Sequence, residues 1–211
     1  MSPRGFFLVL EGPEGCGKTT LATALAETLR SEGLDPVTVR EPGGTTAAEA
    51  LRRELLESER SWTPELELLY LVTARADLVA KVIRPALEGG RMVISDRFDL
   101  STHAYQGAGR GVADDRIDWI NQVATGGLQP DLILILDLPA SVGAERIRLG
   151  DRQPDRLDRE SPDFHERVAK FYRGQTGPTI THLDATRSRE EVFRRALQEL
   201  AARRPQWTER A

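Results

Sequence analysis

The sequence has a single cysteine, Cys16, in 211 residues, and this excludes an internal disulfide framework. It also lacks an excess of positive charge, because 33 aspartates and glutamates outnumber 29 lysines and arginines and give a formal net charge of −4. That balance argues against nucleic acid or an anionic membrane surface as the main partner. Any site that binds anions must therefore be local.

Long apolar runs are missing as well. No run approaches the roughly 18 residues needed to cross a bilayer. The apolar run of five in MSPRGFFLVLEG is too short for a signal peptide. We therefore predict no membrane partner and a cytoplasmic location. Because no linker rich in serine, glycine or proline divides the chain, we predict one domain over residues 1–211.

The apolar residues that are present alternate between two patterns. Short runs typical of strands cover residues 6–11, 36–41, 91–95, 131–138 and 179–184. Segments with helical spacing cover residues 18–32, 46–58, 63–88, 113–125, 139–149, 161–175 and 188–203. The run LILIL has no polar alternation, which is typical of a strand buried on both faces. The pattern predicts an α/β fold with a parallel sheet covered by helices on both sides.

The stretch EGPEGCGKTT, residues 11–20, has the spacing Gly-x4-Gly-Lys-Thr between a predicted strand and a predicted helix. Such a match arises by chance in about one in a hundred sequences of this length. In this context the loop and helix N–H groups bind phosphates, Lys18 reaches the β and γ oxygens, and the Thr19 hydroxyl binds Mg²⁺. The alternative is a tight turn with incidental glycines. We predict ATP and Mg²⁺ as ligands of this P-loop, residues 12–19.

Two common classes of P-loop protein are not indicated. The guanine-binding Asn/Thr-Lys-x-Asp motif of GTPases and the Leu-Ser-Gly-Gly-Gln-like signature of transport ATPases are both absent from the sequence. The sequence instead contains REPGGT, SDRF, STHAYQGAGRG and DRLDRE, in that order after the P-loop. Together these motifs resemble those of bacterial thymidylate kinases, and the resemblance covers roughly residues 5–200.

The resemblance implies a P-loop kinase fold with a five-stranded parallel sheet and a short mobile lid at about 146–159. It implies Mg²⁺-dependent phosphorylation of dTMP by ATP, and a homodimer to which the apolar helix 63–88 could contribute a face. Two alternatives remain open at this point. One is a kinase for another nucleotide or a deoxynucleoside, and the other is a nucleotide-binding module without turnover.

A nucleoside monophosphate kinase needs a second anion site opposite the P-loop. Arg40 and Arg97 stand at the ends of predicted strands, where α/β sheets bind ligands; the alternative for each is a solvated surface charge. The resemblance gives Asp96 and Arg97 the metal and acceptor-phosphate roles. Asp137, also at a strand end, is a competing candidate for Mg²⁺.

The base pocket can be predicted from helical spacing. Leu71 and Arg75 are four residues apart and share one helix face, and Thr102 and Gln106 repeat that relation. By resemblance, Arg75 and Gln106 bond the thymine edge and Tyr105 lies against the sugar. The residues that the resemblance assigns to dTMP are Glu14, Glu41, Arg52, Leu71, Arg75, Arg97, Ser101, Thr102, Tyr105 and Gln106.

Leu71 departs from the family pattern, which commonly has an aromatic residue there to stack on thymine. Stacking contributes about 1 to 3 kcal/mol per base, so Leu71 predicts weaker binding unless Tyr70 turns into the pocket. The alternative for Tyr70 is plain core packing.

Glu14 places a carboxylate inside a loop that binds anions. The resemblance implies that it accepts a hydrogen bond from the 3′-hydroxyl of the acceptor and faces away from the ATP phosphates. The alternative is a salt bridge with Arg40 or Arg97. The residues predicted to bind ATP are Gly12, Pro13, Glu14, Gly15, Cys16, Gly17, Lys18, Thr19 and Thr20.

The segment ERIRLGDRQPDRLDRE carries five arginines, a pattern that also fits a solvated face. Phosphoryl transfer commonly needs a mobile arginine over the γ-phosphate, and the P-loop has none. The resemblance implies that the lid supplies it, with Arg152 as the first candidate and Arg156 as the second. The predicted catalytic residues are thus Lys18, Asp96, Arg97 and Arg152. Cys16 lies at a predicted helix N-terminus, where it is either a reactive thiol or an inert small side chain.

Overall fold

The computed structural model describes residues 4–57, 60, 62–150 and 153–203. One parallel sheet of five strands in the order β2-β3-β1-β4-β5 forms the centre of the molecule. The strands are β1 (Phe7–Glu11), β2 (Val37–Arg40), β3 (Val93–Asp96), β4 (Leu132–Asp137) and β5 (Ile180–Asp184). Each lies within or one residue beyond a predicted run, so the predicted five-stranded parallel sheet is confirmed.

Helices connect the strands. They are α1 (Lys18–Ser31), α2 (Thr46–Glu57), α3 (Pro64–Leu78), α4 (Arg84–Glu88), α5 (Asp99–Thr102), α6 (Asp114–Thr125), α7 (Ala140–Leu149), α8 (Pro162–Arg173) and α9 (Arg189–Arg203). Two π-helical segments lie at Val79–Ile83 and His103–Gly109.

The helical segment predicted over 63–88 is present, but its interior is not a regular α-helix. A π-helical segment separates α3 from α4 and lies directly before Arg84 and Pro85. Proline has no N–H to donate to the carbonyl four residues earlier, and its ring crowds that carbonyl. A wider turn next to it therefore replaces the regular α-helical pattern.

No helical segment was predicted over 99–109, although the i, i+4 relation of Thr102 and Gln106 implied a helical turn there. The segment has a low intrinsic helix propensity, because Gly107 and Gly109 each cost roughly 1 kcal/mol relative to alanine. Packing compensates for it: a Cβ on Gly109 would lie 2.5 Å from Cε2 of Phe164 on α8. This close approach holds the π-helical segment against α8.

Two apolar cores cover the two faces of the sheet. Successive side chains of a strand point to opposite faces, so Leu8 and Leu10 of β1 belong to the core under α1 and α9. Phe7 and Val9 belong to the second core, which includes residues of α4, α8 and the first π-helical segment. Burial on both faces explains why these strands are apolar without alternation.

The strand order determines where a ligand can bind. After β3 the chain crosses from the β3 side of the central strand β1 to the β4 side, and such a switch point opens a crevice beyond the carboxyl ends of the strands. The segments that follow β1, β2 and β3 all lie at this edge. They begin with Gly12, Glu41 and Arg97, which lie within three of the quoted motifs.

Candidate active site

A cleft of about 900 Å³ opens at this edge of the sheet. Its lining brings together predicted residues from the P-loop, α2, α3 and the segment after β3. The predicted site residues that line it are Glu14, Gly15, Cys16, Gly17, Lys18, Thr19, Thr20, Glu41, Arg52, Leu71, Arg75, Asp96, Arg97, Ser101, Thr102, Tyr105 and Gln106. Gly12 and Pro13 lie in the same loop and contribute backbone carbonyls to it. Arg152 lies outside the described residues.

The P-loop runs from the buried strand β1 into α1. Gly17, at the helix start, has a φ of 97°, a left-handed conformation that glycine adopts without steric cost. In this part of the described chain no side chain caps the helix start. The N–H groups of the first turn therefore keep free hydrogen-bonding capacity, which favours an anion at that position.

Lys18 lies along the loop and is 6% exposed. Its Nζ donates to the carbonyl oxygens of Gly12 at 3.0 Å and Pro13 at 2.9 Å. It also contacts Sγ of Cys16 at 3.3 Å. Cys16 itself is buried and packs into the core under α1. These contacts keep the ammonium group within the phosphate-binding loop.

Two oxygen groups suited to a divalent cation meet beside the loop. The Thr19 hydroxyl donates to Oδ2 of Asp96 at 2.5 Å, although the residues are 77 apart in sequence. Hydroxyl and carboxylate oxygens are the donors that Mg²⁺ prefers, so the residues fit this ion. The competing candidate, Asp137, contacts Nδ1 of His182 on β5 at 2.8 Å instead. The geometry thus favours Asp96 over Asp137.

Arg97 has a φ of 77°, in the left-handed region that non-glycine residues seldom adopt, and such strained conformations cluster at functional sites. Its guanidinium donates to Glu14 at 2.6 Å and to the Tyr105 hydroxyl at 3.1 Å. Burial alone would lower the pKa of Arg97, but Glu14 together with Tyr105, Tyr172 and Asp96 outweighs that effect, and the pKa rises above its usual value. The predicted salt bridge between Glu14 and Arg97 is therefore present.

Glu14 also accepts a hydrogen bond from the Tyr105 hydroxyl at 3.1 Å. The Tyr105 ring centroid lies 4.9 Å from Cζ of Arg97, a cation–π contact. Glu14 therefore points toward Arg97 and Tyr105. Arg40, its other predicted partner, pairs with Glu49 at 3.1 Å.

Arg75 is 3% exposed and donates four hydrogen bonds to protein groups. Its Nε bonds Glu41 at 2.7 Å, and Nη1 bonds both Thr102 at 2.8 Å and Asn121 at 2.5 Å. Nη2 bonds the carbonyl of Phe98 at 2.9 Å. A guanidinium has five N–H groups, so one has no acceptor within the part of the chain that the structure describes.

Glu41 is buried beside Arg75. Burial raises the pKa of Glu41 to about 7, although the charge of Arg75 acts in the opposite direction. Its Oε1 has no hydrogen-bond partner among the described residues. Arg52, at the same side of the cleft, donates to the carbonyl of Pro42 at 2.9 Å.

The two predicted i, i+4 pairs do line one cleft. Thr102 and Gln106 do so across the start of the π-helical segment rather than along a regular α-helix. Leu71 lines the cleft without an aromatic ring. Tyr70 does not line the cleft; it is half-buried and packs edge-on against Trp62, with ring centroids 4.6 Å apart, outside the apolar cores.

Four of the five arginines of the predicted lid lie within the described residues, and three of them, Arg146, Arg156 and Arg159, bond to protein groups. Arg156 donates to the carbonyl of Leu55 at 2.9 Å and to Glu67 at 2.5 Å. Arg146 on α7 donates to the carbonyl of Ala185 at 3.0 Å and lines the cleft. Arg156 is thus tied to α3 by an ion pair.

Sequence reasoning missed two buried carboxylates. Glu11 accepts from the N–H of Phe98 at 2.8 Å and from the hydroxyls of Ser101 and Tyr172 at 2.6 and 2.8 Å. Glu67 is 1% exposed and bonds Gln106. A signal for Glu67 was present, because it lies four residues before Leu71 and eight before Arg75 on one helix face.

Comparison with known proteins gives one consistent result. The family model described as thymidylate kinase matches residues 10–196. A thymidylate kinase of Pseudomonas putida strain GB-1 is 47% identical over 194 residues, which cover 90% of this chain and 92% of that protein. Two further thymidylate kinases also match. That of Rhizorhabdus wittichii is 44% identical over 93% of this chain and 97% of that protein. That of Synechococcus sp. strain JA-3-3Ab is 48% identical over 90% of this chain and 92% of that protein.

The family model covers most of the chain, and the relatives align over nearly the whole length of both partners. The match includes the P-loop, the cleft residues that follow β2 and β3, and the described part of the lid segment. The chain belongs to the thymidylate kinase family.

Proposed function

We propose that the protein transfers the γ-phosphoryl group of ATP to dTMP and forms ADP and dTDP. The observation that carries the proposal is that one cleft is lined both by a P-loop and by a second group of buried polar residues around Arg75 and Gln106. The first group suits a triphosphate donor, and the second suits a base with its own phosphate and sugar.

ATP would bind at residues 12–20. The N–H groups at the start of α1 would hold its phosphates, and Lys18 would exchange its bonds to loop carbonyls for phosphate oxygens. Thr19 and Asp96 would hold Mg²⁺, directly or through water. When bound, Mg²⁺ neutralises charge on the phosphate oxygens.

The acceptor would lie across the cleft. Arg97 would bond the dTMP phosphate, since its guanidinium can bridge two phosphate oxygens. Arg75 would donate its remaining N–H to the base, and Gln106 would accept from thymine N3–H. Leu71 would cover the base with an aliphatic side chain, and Tyr105 would pack against the sugar. The remaining residues proposed for this side are Glu41, Arg52, Ser101 and Thr102.

Glu14 would exchange partners when dTMP binds. Its carboxylate holds Arg97 and Tyr105 in the ligand-free arrangement. We propose that it accepts a hydrogen bond from the 3′-hydroxyl of the acceptor, directly or through water, while the phosphate takes over part of Arg97. The charge of Glu14 would be tolerable there because Arg97 pairs with it at 2.6 Å and Lys18 lies in the same loop.

Catalysis would consist of positioning and charge stabilisation without a covalent intermediate. Lys18 and Arg97 both donate to the carbonyl of Gly12, at 3.0 and 3.2 Å, and would supply positive charge near the transferred group. Arg152 of the lid is the proposed third positive group, and Asp96 would act through the metal site.

We further propose that the whole chain forms one cytoplasmic domain that assembles as a homodimer. No described helix is long and apolar enough to cross a membrane. Exposed apolar side chains lie on α3 and α6, with Leu69 49%, Trp119 68% and Val123 64% exposed. Burying such a patch would favour association. Light scattering of the purified protein measures the mass of the assembly.

A coupled assay of ADP release tests the activity. Wild-type protein is supplied with ATP, Mg²⁺ and one of dTMP, dUMP, dCMP, AMP or thymidine. The highest kcat/KM is expected with dTMP. Equal turnover of dCMP or AMP would contradict the base pocket, turnover of thymidine alone would indicate a nucleoside kinase, and no turnover would indicate a binding module.

A further inference from the structure

The buried carboxylate Glu67 has no assigned role, yet it contacts three groups around the cleft. Its Oε1 accepts from Nε2 of Gln106 at 2.6 Å. Its Oε2 accepts from Nη2 of Arg110 at 3.2 Å and from Nη2 of Arg156 at 2.5 Å. With 1% of its surface exposed, Glu67 exchanges few or no hydrogen bonds with solvent.

An ionised carboxylate can only accept hydrogen bonds. Burial would raise the pKa of Glu67, but the hydrogen bonds and charges of Arg110 and Arg156 outweigh that effect and lower the pKa below its usual value. Glu67 is therefore ionised at neutral pH and cannot donate to the Gln106 amide.

This constraint fixes which end of the amide bonds Glu67. Nε2 must face the carboxylate, and Oε1 must face the other way. Oε1 is a buried acceptor with no hydrogen-bond partner among the described residues, although Gln106 lines the cleft. A buried acceptor without a partner costs free energy that a ligand donor recovers.

We propose that Glu67 is a positioning residue that sets base specificity by locking the Gln106 amide with its oxygen available to the base. The inference rests on the proposed function, because it takes Gln106 to bond the pyrimidine edge. Thymine and uracil carry a donor at N3, which matches Oε1. Cytosine carries an acceptor at N3, so Oε1 of Gln106 and N3 of cytosine would face each other as two acceptors with no hydrogen between them.

The test is Glu67→Gln, which keeps the shape of the side chain. A glutamine at 67 can accept from Gln106 or donate to it, so the Gln106 amide can turn over without losing that bond. A turned amide would present Nε2 to the base and donate to N3 of cytosine. The ratio of kcat/KM for dTMP to that for dCMP should fall by about tenfold or more, since unpaired buried polar groups cause discrimination of this size.

Two matched variants remove charge near Glu67 but leave its carboxylate in place. Glu160→Gln removes the negative charge of the group that accepts from Arg110 at 2.5 Å, and Arg156→Gln removes one of the two arginines that bond Glu67. Both should keep the dTMP to dCMP ratio within about threefold of wild type, whatever happens to overall activity, because the amide stays locked.

The outcomes separate the two claims. A wild-type protein that turns over neither nucleotide would reject the proposed function itself, and one that turns over dCMP as well as dTMP would reject the base pocket on which the inference rests. A wild type that prefers dTMP, together with an unchanged ratio in Glu67→Gln, would reject the role of Glu67 alone. An equal loss of ratio in Glu160→Gln would also overturn it. If Glu67→Gln does not melt cooperatively, the double variant Glu67→Gln/Arg156→Gln replaces it, because it removes one negative and one positive charge together. The ratio of kcat/KM for dTMP to that for dCMP in the double variant then tests the role of Glu67.

Discussion

The contact between the P-loop and α7 depends on two glycines. A Cβ on Gly143 would lie 2.3 Å from the backbone oxygen of Glu14, and a Cβ on Gly15 would lie 2.5 Å from the oxygen of Gly143. Both contacts are between backbones, so no flexible side chain can move aside. Gly143→Ala therefore tests whether the phosphate-binding loop needs this close approach.

Two effects of Gly143→Ala oppose each other. Alanine favours a helix over glycine by about 1 kcal/mol, which would stabilise α7. The new methyl group must move from 2.3 Å to at least 3.0 Å from the Glu14 oxygen, and overpacking of this kind costs about 1 to 3 kcal/mol. The steric effect is the larger, so we expect a Tm lower by a few degrees.

Gly143→Ala should affect the catalytic rate more strongly than the stability. Whichever side moves, the loop separates from α7, and a misplacement of about 1 Å can cost about 10²-fold in rate. We expect kcat/KM for ATP to fall by about 10- to 100-fold in the coupled assay.

Gly177→Ala is the matched control, because a Cβ there would lie no nearer than 3.7 Å to its neighbours. It should leave Tm unchanged and change kcat/KM by no more than about twofold. A Gly143→Ala variant with a raised Tm and wild-type kcat/KM would refute the reasoning, since helix propensity alone would then decide the outcome.

Three further predictions concern the lid, the buried acid and the thiol. Arg152→Ala should lower kcat by about 10²- to 10³-fold with little change in the KM for ATP. Arg156→Ala, which loses an ion pair to Glu67, should lower kcat less. If steady-state kinetics show the larger loss for Arg156→Ala, the catalytic role belongs to Arg156. Burial raises the pKa of Glu41 from 4.5 to about 7, so the folded protein holds this proton more tightly than the unfolded chain, and the stability it contributes is lost as pH rises from 4.5 to 7. Urea unfolding of wild type and Glu41→Gln at pH 5 and pH 8 should show the wild type losing stability relative to the variant, and a difference independent of pH would contradict the assignment. Cys16 is 4% exposed, so iodoacetamide should modify it slowly, and more slowly still when ATP is bound. Cys16→Ala should keep kcat within a few-fold of wild type. Equal modification rates with and without ATP would count against an ATP site that covers this thiol.

The sheet and the phosphate-binding loop could be predicted because their signals are local. The run LILIL in β4 is apolar at every position, and burial on both faces requires that. The glycine spacing of the P-loop lies within eight residues and gives φ values such as 97° at Gly17, which few other residues adopt. Both depend on the residues themselves more than on their neighbours in space.

The pairing inside the cleft was decided by tertiary structure. Gln106 meets Glu67 across 39 residues, and Arg156 meets the same carboxylate across 89. These distances depend on how α3, the π-helical segment and the lid pack against one another. No short stretch of sequence determines that packing. For the same reason the sequence left Glu14 with two possible arginine partners, and packing chose Arg97 over Arg40.

Local chemistry by itself determined that this chain would bind a polyphosphate, because backbone conformation and helix N–H groups follow from the residues at each position. Only the fold decided which buried polar atoms would be satisfied by the protein and which would remain for a ligand. A hydrogen bond forms or fails within about 0.5 Å, and that precision arises from packing over the whole domain.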